Sequence, residues 1–151
     1  MAVNLGNKPL VGIALGDTDI LGSSMSFVSC GATNNGANGL KTTPVNQFNS
    51  DLVSVTNNIM TFKKKCTCIL WGGHTSTGSS GPSGGTARTN YEGTHKGQLS
   101  NGFNGYTQQS WQNSVELTFN VGDTLKMTST TANGSSSYAS VTVYFVLYVK
   151  K

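Results

Sequence analysis

NSVELTFNVGDTLKM (residues 113–127) and, beyond a polar stretch, YASVTVYFVLYV (138–149) decide the fold. In the first, Val115, Leu117 and Phe119 alternate with Glu116, Thr118 and Asn120, the two-residue period of a strand with one wet face. Val121-Gly122-Asp123 turns the chain, and Leu125 and Met127 resume the odd-numbered apolar set. In the second, Val141, Val143, Phe145, Leu147 and Val149 line one side, but the other carries Tyr144, Val146 and Tyr148. A closing strand that is apolar on both sides is expected to be covered on both: by a second sheet, and by something further.

The rest of the chain fits an all-β protein. Of 151 residues only 11% are charged and 19 are Gly, with many Ser, Thr and Asn. Helices draw on Ala, Leu, Glu, Lys and Arg, so this composition points to strands joined by many turns. A domain of this length buries roughly 68–70% of its unfolded surface and needs no disulfide. Cys66 and Cys68, two apart on a strand, point the same way and do not bridge readily; with Cys30 they read as small, buried, apolar side chains in a reducing compartment. The formal charge of +4 comes partly from Lys63-Lys64-Lys65 and Lys150-Lys151. No broad basic stripe with interleaved aromatic residues accompanies it, so no nucleic-acid partner is expected. Met1–Pro9 is polar and Leu10–Leu15 is short, so neither a secretory leader nor a membrane span is expected.

Residues 1–9 read as an N-terminal arm and residues 10–151 as a single domain of about eight to ten antiparallel strands. Strands are expected at Leu10–Leu15, Met25–Cys30, Leu52–Val55, Ile59–Phe62, Cys66–Trp71 and Ala87–Glu92. Ala32–Thr43, with Asn35-Gly36 and Asn38-Gly39, reads as turns. Lys63–Lys65 reads as a solvated hairpin turn. Gly72–Gly85 reads as a long exposed loop, or one ordered by a neighbouring subunit, because it cannot bury enough apolar area to offset its ordering entropy. Gly93–Ser110 reads as a second irregular region.

Chemistry is sparsely provided for, with six carboxylates and two histidines. His74 and His95 read as solvated loop histidines, Glu116 as an outward strand position and Asp123 as a turn former. No nucleophile elbow or phosphate loop occurs, and no enzyme, cofactor or metal site is expected. Asp17-Thr18-Asp19 offers too few oxygens for calcium and reads as a turn. One binding pattern stands out: Tyr91, Phe103, Tyr106 and Trp111 lie among Asn101, Asn104, Gln108, Gln109 and Gln112, the mixture of rings and amides that glycan sites use. The simpler reading of the same rings is that they are hydrophobic pins holding a long loop to the sandwich.

The run Thr61 to Leu70, reading TFKKKCTCIL, resembles the strand–turn–strand passage of the tumour necrosis factor-like and complement globular-head jelly rolls. Val115–Met127 and the closing strand Val141–Val149 are similar to that superfamily's last strands, and Cys66 and Cys68 stand where its pattern has Gly and Tyr. Phage virion proteins of the superfamily share the Thr/Ser/Asn-rich style. The resemblance implies a two-sheet jelly roll that assembles as a homotrimer, with Tyr144, Val146 and Tyr148 at the trimer interface. It implies a virion structural protein of a bacteriophage or prophage, assembled in the host cytoplasm. This would be a capsid-decoration or fibre-head knob whose partners are other virion proteins, capsid or fibre shaft, and possible host-surface glycans. The alternative is a carbohydrate- or receptor-binding module that uses the aromatic-rich loop.

Overall fold

Eleven strands and no helix make up the described part of the chain. The structure, a computed structural model, describes residues 26–36, 39–78, 86–102, 109–132 and 139–150. The strands are β1 (Ser26–Gly36), β2 (Gly39–Thr42), β3 (Gln47–Phe48), β4 (Val53–Thr56), β5 (Ile59–Phe62), β6 (Cys66–Gly78), β7 (Thr86–Gly93), β8 (Gly97–Asn101), β9 (Gln109–Phe119), β10 (Thr124–Ala132) and β11 (Ala139–Lys150). The arm at 1–9, the strand at 10–15, the acidic pair at 17–19, and Phe103 and Tyr106 lie outside the described residues.

Two antiparallel sheets face each other. One has the order β3-β1-β11-β6-β9; the other runs β4-β5-β10-β7-β8, with β2 also on β10. The alternation in the sequence maps onto this arrangement: Leu117, Phe119, Leu125, Met127, Val141, Val143, Phe145 and Leu147 are all buried between the sheets. Phe62 of one sheet and Phe119 of the other stack with centroids 3.8 Å apart. Phe145 sits opposite Gly31 and Gly72 in the two neighbouring strands. A Cβ at Gly31 would run into the Pro44 carbonyl oxygen and lie 2.7 Å from the Phe145 ring, and one at Gly72 would run into the β11 backbone at Tyr144 O and Phe145 Cα, so both positions are glycine because neighbouring backbone approaches closely.

Several local readings change. Ala32–Thr43 is mostly strand, because β1 is paired with β11 as far as Gly36 and β2 is laddered to β10. Gly72–Gly78 is no loop: it continues β6, hydrogen-bonded to β11 on one side and β9 on the other. Within Gly93–Ser110, Gly97–Asn101 forms β8 against β7. Lys63–Lys65 is exposed as expected, yet it is not a hairpin turn, since β5 and β6 belong to different sheets. Val121–Asp123 crosses between the sheets in the same way, and the two crossings are tied together by Gly122 N–H to Phe62 O (2.8 Å) and Phe62 N–H to Asp123 O (2.9 Å). The tight two-residue hairpin is instead Asn57-Asn58 between β4 and β5, both at positive φ, a conformation Asn tolerates.

Candidate functional site

Side chains directly opposite on neighbouring strands share a face. Val146 pairs with Trp71, Tyr148 with Ile69 and Tyr144 with Gly73, so β11 and β6 together present Tyr144, Val146, Tyr148, Ile69 and Trp71 on the outer side of their sheet. All five are half-buried. The Tyr144 ring lies 5.5 Å from Trp71, and its hydroxyl donates to Gln112 Oε1 on β9 at 3.3 Å. Polar pairs close the band at one end: Lys150 to Glu116 at 2.7 Å and Thr67 to Thr118 at 3.0 Å. The main neighbours of β11 are β1 and β6 beside it and β10 across the sandwich. Ile69 and Trp71 are missing from the sequence-based set. Their signal was present, since Ile69 and Trp71 alternate with Cys68 and Leu70 in a second strand that is apolar on both faces.

Of the four rings expected to bind glycan, Tyr91 and Trp111 lie among the described residues. Tyr91 faces inward on β7 and packs on the core, with its ring over Gly97. Trp111 lies near the other end of the sandwich, its ring stacked on His74 at 5.3 Å. It is also so close to Gly102 that a Cβ there would fall 2.0 Å from Nε1.

His74 is the clearest correction: it is a fully buried strand residue, not a solvated loop residue. Its Nε2–H donates to Gly102 O at 2.9 Å, which makes Nδ1 the acceptor for the hydroxyls of Ser100 (2.8 Å) and Thr89 (3.3 Å). A serine donating to a histidine can mark an activated nucleophile. Here Nδ1 is shared with Thr89, and the arrangement joins β6 to β7 and β8 as a polar clasp between the sheets. Burial pushes the His74 pKa below its ordinary value. Below about pH 6.5, the unfolded chain takes up a proton that folded His74 refuses. Stability is therefore complete above that pH and declines as pH falls toward the folded value, by about 1.4 kcal/mol per unit of depression. Thermal melts between pH 8 and 5 should show this slope, and His74→Gln should remove it; an unchanged slope would refute the assignment.

Other reactive groups are quiet. Cys66 and Cys68 are free, with sulfurs 3.5 Å apart, and burial pushes both thiols upward, so they remain protonated and weakly nucleophilic at neutral pH. His95 Nε2 donates to Thr118 O at 2.7 Å and its ring stands edge-on to Phe119. Glu92 pairs with Lys126 at 3.2 Å. Among the described residues no three His, Cys, Asp or Glu gather to hold a metal, and no helix is long and apolar enough to cross a membrane.

No protein-family model matches the sequence, and no curated protein is significantly similar to it. Solved structures do match. Murine APRIL aligns at a TM-score of 0.50 and 10% identity, covering 85% of this chain and 100% of that one. The fold is a tumour necrosis factor-like jelly roll. The globular domain of zebrafish complement 1qA protein (TM-score 0.43, 16% identity, 78% of this chain, 96% of that one) and Eiger TNF from S. frugiperda (0.43, 8%, 83% and 92%) also align. In this jelly roll the apolar band lies on the outer side of the sheet β3-β1-β11-β6-β9.

Proposed function

We propose that this chain is a non-enzymatic structural protein of a bacteriophage or prophage virion, three copies of which form a knob on a capsid or at a fibre head. The observation that carries the reading is the half-exposed band of Tyr144, Val146, Tyr148, Ile69 and Trp71. Apolar surface is drawn together by removal from water, at ~25 cal/mol per Å², so covering such a band contributes on the order of several kcal/mol per subunit. Threefold packing about an axis is the arrangement that the sequence resemblance implies. The virion setting draws on the Thr/Ser/Asn-rich composition with few charges; residues 1–9 would then anchor the knob to the particle, after assembly in the host cytoplasm. A second reading, a carbohydrate- or receptor-binding module, draws on a cleft beside Trp111, and both roles fit one adhesive knob.

Light scattering tests the assembly: a mass three times the 15.8 kDa chain is expected, and a monomer at micromolar concentration would overturn it. Truncation of residues 1–9 should abolish attachment to particles while leaving the trimer intact.

A further inference from the structure

On the flank of the sandwich the edge strands of the two sheets, β8 and β9, border an open cleft. Its volume is about 510 Å³, and its walls are Gln98 to Asn101 on one side and Ser110 to Asn113 on the other. This lies within the roughly 300–1,000 Å³ of small-molecule sites. The lining is uncharged: Gln98, Asn101, Ser110 and Asn113 accompany Trp111, with no acid or base among them, while the Gln112 carboxamide is engaged by Tyr144 on the outer face. Gln98 and Asn101 are exposed at the rim. Trp111 is held before any ligand arrives, because it packs against both partners of the His74–Gly102 hydrogen bond. A ring fixed in advance loses little freedom on binding.

We propose that this cleft binds an uncharged saccharide, with the sugar ring against the Trp111 indole and its hydroxyls bonded to the carboxamides. Each carboxamide both donates and accepts, matching hydroxyl groups that do the same. A charged ligand finds no counter-charge in the lining, and a wholly apolar one leaves the amides unpaired. The inference deepens the adhesive reading and does not depend on the number of subunits.

The test follows the Trp111 indole N–H resonance of the full-length protein during titration with glucose, galactose, mannose and N-acetylglucosamine, with sialic acid as the charged control. At least one neutral sugar should move that resonance saturably. The double variant Gln98→Ala/Asn101→Ala should weaken binding about ten-fold or more. Both positions are exposed, so this variant remains informative if Trp111→Ala, which removes packing on His74, fails to fold. No response to any neutral sugar, an equal response to sialic acid, or unchanged binding by the double variant would each overturn the proposal. Light scattering on the same sample reports assembly, so loss of the trimer and loss of sugar binding are read separately.

Discussion

Replacing Val146 by Asp is expected to leave a folded protein that scatters as a single chain. Val146 lies at the centre of the outer band, between Tyr144 and Tyr148 on its own strand and opposite Trp71 on the next. It is half-buried in the single subunit, so water still reaches a carboxylate placed there. In a threefold assembly built on this face, three such carboxylates would be taken from water close together. An unpaired charge buried in this way costs several kcal/mol, and like charges add repulsion. Among the described residues of this face, Lys150 already holds Glu116 at 2.7 Å. The association should therefore fall by orders of magnitude, while circular dichroism and the melting transition still report a folded sandwich. A variant that keeps the threefold mass would place the contact on another surface.

Phe119→Ala should have the largest effect on stability. Phe119 and Phe62 are fully buried, stacked within 6° of parallel, and belong to opposite sheets, so the pair joins the two layers. Truncating a buried phenylalanine costs about 3–5 kcal/mol through lost transfer energy and the cavity left behind. That is a large share of the roughly 5–15 kcal/mol that holds a domain folded. Urea titration should show the midpoint falling with little change in slope, and the melting temperature should drop by on the order of 10 °C. Phe62→Ala should cost a similar amount. In the double variant the two losses should fail to add, by about 0.5–1.5 kcal/mol, because both singles remove the same contact. Strict additivity would mean that the rings do not act as a pair.

The parts of this fold that were legible in the sequence are those whose signal is local. Alternation through Val115–Phe119, Leu125–Met127 and Val141–Val149 marked three strands and named their buried sides, because successive side chains on a strand point to opposite faces. Tyr144, Val146 and Tyr148 were legible as a second apolar face by the same rule. Gly72–Gly78 was not legible. Glycine, serine and threonine carry no burial signal, and this segment is a strand because β11 and β9 supply ladder bonds on both sides. His74 misled for the same reason: its neighbours in sequence are Gly73 and Thr75, while its hydroxyl partners are Thr89 and Ser100, 15 and 26 residues away.

By itself, then, the sequence determined the strand class, the inward residues of the last three strands and the unusual outer face of the closing one, since each follows from a period of two along a few residues. Only the tertiary structure decided which strands share a sheet, that Ile69 and Trp71 widen the apolar band, that two short turns cross between layers, and that β8 and β9 leave a cleft beside Trp111. Those features depend on pairing between segments far apart in the chain, and hydrogen-bonded pairing leaves no mark on either segment alone.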